Sequence, residues 1–295
     1  MLLLVPMGAD RETPRAPRAT LALVALNLLA FVWTARLDTE GTAAREQELR
    51  RVAEWTLRVA EEQAPGLTQR AAGHGSVFAF LQADSHWRQE IQSAELRERL
   101  EACLEDYGRL RDGHPFYAWG FIPADISVRR LLGHQFLHAD ILHVGFNMLF
   151  LWTAGGLLEL TLGAAVLVPA YLLSGVAAAL AHAAFHPGSS DPVVGASGAV
   201  AGAMGMLGVL HGREKLRLAL VVMLAAAPRI FFLSWPAWVL LSLWLLEQVF
   251  YASFGLDSLG IAFWAHIGGF VFGLLLGLGL GQWRSWAAEL MRREK

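Results

Sequence analysis

The chain has 295 residues, of which 55% are hydrophobic and 17% are charged, whereas ordinary soluble domains carry about 25% charged residues. This composition favours a membrane protein, and the net charge of −2 gives no reason to expect a nucleic-acid partner. The single cysteine, Cys103, excludes an intramolecular disulfide and a zinc site built from cysteines.

The first apolar segment, 19–35, follows a basic tail that contains Arg11, Arg15 and Arg18. Its basic start resembles that of a signal peptide, but the apolar run is long for one and no convincing cleavage site follows it. We therefore predict that 1–18 is a cytoplasmic tail and that 19–35 is a transmembrane helix that stays in the chain.

A polar block, 36–128, follows and contains 16 acidic residues and 11 arginines. Within it, Leu49, Val52, Trp55 and Val59 recur at helical spacing, and a second helix is predicted around 86–111. We interpret the block as an extracytoplasmic helical insert packed on the membrane surface. Substrate recruitment, regulation and mere surface packing all remain open as its role.

Five more apolar segments are long enough to be predicted as transmembrane helices. They are 141–158, 162–185, 195–211, 234–253 and 261–282. The apolar stretch 216–232 is broken by Pro228 and Arg229, so we expect a partly buried or interfacial loop there. The predicted fold is an all-α polytopic bundle of six transmembrane helices with one helical insert after the first.

Arginine and lysine near the ends of short loops mark one side of the membrane, whereas long segments such as 36–128 cross largely regardless of their charge. These basic residues lie in 1–18, in 213–217 and in the tail 283–295, whereas the loops 186–194 and 254–260 contain none. With six crossings, this pattern predicts that both termini are cytoplasmic. Because no mitochondrial-type leader is evident, we expect a bacterial cytoplasmic (inner) membrane.

Polar side chains inside apolar spans are functional candidates, because burying them in lipid is costly. His143 and Asn147 lie four residues apart, hence on one helical face. Ser197 opens the fourth segment, and His266 lies near the start of the sixth. A serine beside a histidine is an activated nucleophile, and His143, Asn147 and backbone N–H groups are donors for the oxyanion that its chemistry produces.

Glycines supply a reason for these side chains to meet. They recur every three or four residues at Gly198, Gly202, Gly205 and Gly208 and at Gly269, Gly273, Gly277 and Gly281. Such stripes let transmembrane helices approach closely. Ser197 and His266 lead the two stripes, so we predict that close packing brings the hydroxyl to the imidazole.

Simpler interpretations exist for each feature taken alone. A serine in a transmembrane helix often bonds its own backbone, and a glycine stripe can serve packing only. His138, Asp140 and His143 could suggest a metal, but the H-x4-H spacing does not put both rings on one helical face and HExxH is absent. We predict no metal and no cofactor.

Taken together, the motifs resemble those of the rhomboid family of intramembrane serine proteases. The resemblance rests on "RRLLGHQFLHADILHVGFNMLFLWTAGGLLELTLG" (129–163), "GASG" (195–198) and "AHIGGFVFG" (265–273). It implies a catalytic core at 129–282, with Ser197 as nucleophile and His266 as general base. The order and spacing of the three motifs make it specific.

The resemblance also assigns roles to the residues around this pair. It implies oxyanion stabilisation by His143, Asn147 and Gly195. It implies structural support from His138, Gly198, Gly269, Gly273 and Glu159, the last within an E-x3-G motif that ends at Gly163. Phe146 matches an aromatic that lines substrate entry, and we suggest Trp238 and Trp244 of the fifth segment as parts of a lateral gate.

The expected substrates are single-pass transmembrane proteins met in the lipid bilayer, and the sequence does not predict an oligomeric state. One departure is Ala201, where many relatives have an aromatic that stacks on the catalytic histidine. Glu247 receives no role. A catalytically silent rhomboid-like protein that binds transmembrane clients is the alternative, and a transporter or channel is disfavoured because no inverted repeat is visible.

Overall fold

A computed structural model describes residues 2–9, 16–38, 42–74, 77–223, 228–256 and 260–293. In these ranges the helices are α1 (Arg18–Asp38), α2 (Thr42–Ala60), α3 (Leu67–Gly73), α4 (Val77–Ala83), α5 (Trp87–Glu90), α6 (Ala94–Gly113), α7 (Pro115–Trp119), α8 (Val128–Gly133), α9 (Ile141–Phe150), α10 (Gly156–Leu162), α11 (Ala164–Phe185), α12 (Ser197–Leu210), α13 (Ala237–Ser253) and α14 (Phe263–Arg293). The strands are β1 (Leu2–Ala9), β2 (Lys215–Met223) and β3 (Pro228–Pro236). The chain divides into two compact units, one of Met1–Val32 with Trp119–Lys295 and one of Trp33–Ala118.

The larger unit is a helical membrane bundle, which confirms the predicted fold class. Among the described residues, four helical segments are long and apolar enough to cross a membrane: Arg18–Leu37, Ile141–Leu162, Ala164–Phe185 and Phe263–Trp283. The shorter apolar helices α12 and α13 occupy the positions of the predicted fourth and fifth spans. The chain is thus an integral membrane protein that crosses the bilayer several times.

Helix α12 lies in the core of the bundle. Every residue from Gly198 to Leu207 is buried. Its 14 residues extend about 21 Å, which is less than the ~30 Å of a hydrocarbon core. At most one end of α12 can therefore lie at a boundary of the hydrocarbon core. The other end lies inside the core.

Glycines let α12 and α14 pack at backbone contact. A Cβ atom added at Gly269 would collide with the Gly198 carbonyl oxygen, and one at Gly273 would collide with the Gly202 carbonyl oxygen. On its other side, Gly202 packs against the Ser174 side chain of α11 in the same way. The predicted close approach of the two glycine stripes is therefore present.

The second predicted span is a composite helix. Asp140 caps the start of α9 by accepting a hydrogen bond from the His143 backbone N–H at 2.8 Å. A π-helical turn, Leu151–Gly155, joins α9 to α10. Gly163, at φ +79°, ends α10 in a backbone conformation that favours glycine.

Glu159 of α10 holds the start of α1. Its carboxylate accepts hydrogen bonds from the Ala19 and Thr20 backbone N–H groups at 2.9 and 2.7 Å, and from the Thr20 hydroxyl at 2.8 Å. These bonds satisfy N–H groups that have no partner within the first turn of a helix. The sequence distance of about 140 residues makes this contact a tie between the first and second spans.

The interpretation of 216–232 as a loop was wrong for 216–223 and 228–232, which lie in strands, while 224–227 are outside the described residues. Strands β2 and β3 form an antiparallel hairpin whose register pairs Lys215 with Pro236 and Met223 with Pro228. Strand β1 adds to the other edge of β2, giving the order β1-β2-β3. Apolar content alone does not separate strand from buried loop or helix, and the run of β-branched and aromatic residues favours the strand.

The hairpin also shortens the fifth predicted span. Residues 234–236 belong to β3, and α13 begins at Ala237, directly after Pro236. Helix α14 instead continues past its apolar part to Arg293. The remaining predicted spans agree with the observed helices to within a few residues, except that the second continues to Leu162.

The smaller unit has a hydrophobic core of its own. This core includes Phe78, Phe80 and Trp87, all of them fully buried, and residues 119–128 of the predicted insert belong to the larger unit instead. Burial raises the pKa of the Cys103 thiol, which lies in the same core.

The predicted apolar face of α2 was mostly wrong. Leu49 is buried, but Val52, Trp55 and Val59 are exposed, and the buried face runs instead through Ala53, Leu57 and Ala60. Small alanines let α6 pack against this face, so the larger apolar side chains were a poor guide to it. The Arg99 guanidinium lies 5.3 Å from the centre of the exposed Trp55 ring.

Candidate active site

Ser197 is the first residue of α12 and follows a tightly held backbone turn. The Gly195 N–H donates a hydrogen bond to the His134 carbonyl at 2.9 Å. The Ala196 N–H donates to Nε2 of His138 at 3.3 Å. Two long-range bonds thus fix the backbone directly before the serine.

Gly195 separates the serine from the His143 ring. Its φ of +133° favours glycine, and a Cβ atom there would lie 2.8 Å from both Nε2 and Cε1 of His143. The same position is 3.6 Å from the Ser197 Oγ atom. The ring of His143 and the hydroxyl of Ser197 therefore flank one glycine that no other residue could replace without displacing the histidine.

Asn147 lies one turn below His143 on α9 and is buried. Its Nδ2 atom donates to the His143 carbonyl at 3.0 Å. An amide group has two N–H donors, so the second can serve another acceptor.

His138 and His143 come together although they share no helical face. Their rings are 5.1 Å apart in an edge-to-face arrangement, because His138 precedes α9. Among the described residues, no group of three or more potential metal ligands was found.

The contact between α12 and α14 brings the Ser197 and His266 regions together. A Cβ atom at Gly198 would lie 3.7 Å from the Ala265 carbonyl oxygen, and Gly269 packs against the Gly198 carbonyl oxygen. Gly198 directly follows Ser197, and Ala265 directly precedes His266. The beginnings of the two helices are therefore neighbours in the bundle.

His266 is contacted by Trp244, which the sequence analysis suggested for a different role, and by Gln248 and Phe263, which it did not select. Its Nδ1 atom lies 2.7 Å from Oε1 of Gln248 on α13. The Trp244 ring lies 5.9 Å from the imidazole and the Phe263 ring 6.3 Å from it. The signal that the sequence offered for Gln248 was a neutral amide in an otherwise apolar segment. The adjacent charged residue, Glu247, is exposed.

The other residues selected from sequence divide between the site and the rest of the bundle. Phe146 is half-buried on α9, and Trp244 is close to His266. The Trp238 N–H donates to the Gly212 carbonyl, just beyond the far end of α12 from Ser197, and the Trp238 side chain is 56% exposed. Glu159 holds α1 at the far end of the second span from His143. Neither Trp238 nor Glu159 contributes directly to the Ser197 region.

These features define a polytopic helical protein with a serine, three histidines and two amides gathered within the bundle. A family model described as the rhomboid domain matches residues 126–283, which is more than half of the chain. The chain belongs to the rhomboid family.

Two curated relatives carry the similarity further. Rhomboid protein 1, mitochondrial, of Saccharomyces cerevisiae is 30% identical over 169 residues, which cover 53% of this chain and 42% of the relative. Rhomboid protease GluP of Bacillus subtilis is 38% identical over 78 residues, which cover 26% of this chain and 15% of the relative. The chain spans less than half the length of either relative.

Proposed function

We propose that the protein is an intramembrane serine endopeptidase that hydrolyses peptide bonds in or near transmembrane segments. The observation that carries this proposal is the backbone packing of Gly198 on Gly269 and Ala265. It supports a Ser197–His266 dyad because each partner is directly adjacent to a residue in that contact. Membership of the rhomboid family and a relative named a protease add support.

The proposed reaction begins with attack of the Ser197 Oγ atom on the scissile carbonyl carbon. The hydroxyl proton passes to Nε2 of His266, and the carbonyl oxygen becomes an oxyanion. The same proton then goes to the leaving amine nitrogen as the peptide C–N bond breaks, leaving an acyl-enzyme. Water repeats the sequence, with His266 as base, and releases the new carboxyl group and the serine.

Donors around Gly195 would stabilise the oxyanion. His143 lies on one side of this glycine, the second N–H of Asn147 is one turn away, and N–H groups at the start of α12 have no partner within their own helix. Because these donors are already in place, they need not rearrange when the oxyanion forms. We assign His138 a supporting role, because it accepts the Ala196 N–H.

We propose single-pass transmembrane proteins as substrates, met in the bilayer. Backbone hydrogen bonds shield the peptide bonds of an intact helix, so a substrate must unwind near the cleavage point. Helix-breaking residues there would favour cleavage. We further propose that substrates enter between α9 and α13, where Phe146 and Trp244 lie on the two sides, in a bacterial cytoplasmic membrane.

The test is cleavage in reconstituted liposomes. The wild-type protein and the Ser197→Ala variant are incubated with a single-pass substrate that carries a Gly or Pro near its expected cleavage site. We expect the variant to lose about 10³-fold or more of the rate. Ser253→Ala is the matched control, because the Ser253 hydroxyl donates only to its own helix, at the Val249 carbonyl.

Equal cleavage by wild type and Ser197→Ala would refute the serine mechanism. Absence of cleavage by a folded wild-type protein, with the substrate still bound, would instead favour the alternative of a silent client-binding protein.

A further inference from the structure

We propose that Gln248 of α13 is a positioning residue for His266. Its side chain orients the imidazole that acts as base toward Ser197. This inference rests on the proposed hydrolase function. It concerns a bond between two different helices, 18 residues apart in sequence, with an Nδ1 to Oε1 distance of 2.7 Å.

Gln248 belongs to the face of α13 that packs into the bundle. Ala237, Leu241, Gln248 and Ala252 are the buried residues of this helix. Trp244, one turn before Gln248, lies beside the His266 and Phe270 rings. The rest of this face is thus apolar or aromatic, and the amide faces the imidazole that we propose as the general base.

A buried amide at this position is unfavourable unless it forms a hydrogen bond. Burying an amide without a compensating hydrogen bond costs free energy, and an apolar side chain of similar size would carry no such cost. The side chain of Gln248 is 5% exposed, and its bond to His266 satisfies the carbonyl oxygen. Packing alone therefore gives no reason for an amide here, whereas orientation of the histidine does.

The bond also sets the protonation pattern of the ring. Oε1 of Gln248 is an acceptor, so Nδ1 of His266 carries the hydrogen. In the neutral ring Nε2 then keeps its lone pair for the Ser197 proton. After proton transfer the imidazolium still donates from Nδ1 to the amide oxygen, so the same contact serves both states of the base.

This arrangement explains how the histidine is held without an aromatic at Ala201. Ala201 is buried and offers no ring for stacking. Gln248, Trp244 and Phe263 instead hold His266 from α13 and from its own helix. The orienting contacts thus come from α13 and α14 and not from α12.

Three variants of the 295-residue chain test the proposal in detergent and in liposomes. Gln248→Met removes the amide but keeps the length of the side chain, Gln248→Glu keeps an oxygen acceptor, and Glu247→Gln is the control on the exposed side of the same helix. The readouts are kcat, KM, the pH–rate profile and the thermal midpoint.

We expect Gln248→Met to lower kcat by about 10- to 100-fold, as misplacement of a reacting group does, with KM within about two-fold and an unchanged thermal midpoint. Gln248→Glu should recover much of the rate at high pH. The acid limb of the pH–rate profile of Gln248→Glu should move to higher pH by about one unit or more, because a carboxylate beside the imidazolium favours the charged ring. Among the described residues, His143 on α9 and His182 on α11 are the other titratable groups that act on His266, and neither is altered.

Wild-type kcat and pH profile in Gln248→Met would overturn the proposal, as would a Gln248→Glu profile that does not move. If Gln248→Met does not fold, the Gln248→Glu profile decides alone.

A separate measurement distinguishes failure of this inference from failure of the proposed function. Nitrogen NMR of histidine-labelled wild-type protein, with His266→Asn to assign the signal, should show Nδ1–H in the neutral ring. An Nε2–H ring overturns the role of Gln248 even if the enzyme is active. An Nδ1–H ring that shifts in Gln248→Met supports it even if no substrate is cleaved.

Discussion

At the scale of single residues, glycines set the distance between the two helices that carry Ser197 and His266, because they have no side chain to keep the backbones apart. The Gly273 position on α14 faces the Gly202 carbonyl oxygen of α12 with no room for a methyl group. Gly279 lies on the same helix with no atom within 4 Å of an added Cβ. Comparing alanine substitutions at the two positions therefore distinguishes the effect of close packing from the effect of helix propensity.

We predict that Gly273→Ala destabilises the bundle by about 1–3 kcal/mol, the usual cost of overpacking a close contact. Gly279→Ala should leave the stability unchanged or raise it slightly, since alanine is the better helix former. Thermal denaturation of both variants in the same detergent measures the difference. A thermal midpoint for Gly273→Ala equal to that of Gly279→Ala would show that the helices can separate at no cost.

At the scale of elements, α13 combines two proposed roles. It carries Gln248, which bonds His266, and it forms one side of the proposed entry between α9 and α13. A hydrogen bond of 2.7 Å is lost when its partners move apart by about 1 Å. The base is therefore best oriented when α13 is packed against α14.

A disulfide between engineered cysteines on the facing surfaces of α9 and α13, in a Cys103→Ala background, should block cleavage of transmembrane substrates. The same tethered protein should still react with a small serine-directed probe, because α13 stays packed on α14. Reduction should restore cleavage. Unchanged turnover of a transmembrane substrate by the oxidised protein would refute entry between these helices.

At the scale of the whole molecule, the predicted six crossings would place the two tails on one side of the membrane and the insert on the other. We predict that an impermeant maleimide labels Ala94→Cys of the insert from the side opposite to Ala16→Cys and Ser285→Cys, all in the Cys103→Ala background. Ala16, Ala94 and Ser285 are exposed. Labelling of Ala94→Cys and Ser285→Cys from the same side would contradict six crossings.

The sequence was most informative where chemistry and spacing coincide. The glycine stripes predicted backbone contact because small residues at a spacing of four can serve little else in lipid, and that contact is present at Gly198, Gly202, Gly269 and Gly273. It was least informative where an apolar run fits several structures, as in 216–223, where the pairing of β2 with β1 and β3 decides the outcome.

Two further differences have a physical cause. The buried face of α2 includes Ala53 and Ala60, whose small side chains allow close packing, so the larger Val52, Trp55 and Val59 did not indicate this face. Gln248 was missed because its role depends on a hydrogen bond to His266, which is 18 residues away on another helix. No local sequence pattern indicates that contact.

Labelling of the active serine tests the central claim most directly. The purified wild-type protein is treated with a fluorophosphonate probe, the adduct is located by mass spectrometry, and Ser197→Ala and His266→Ala are treated in parallel. We predict one adduct on Ser197 that is lost in both variants. No adduct on a folded wild-type protein with probes of several sizes, or an adduct on Ser197 that persists in His266→Ala, would contradict a serine activated by His266.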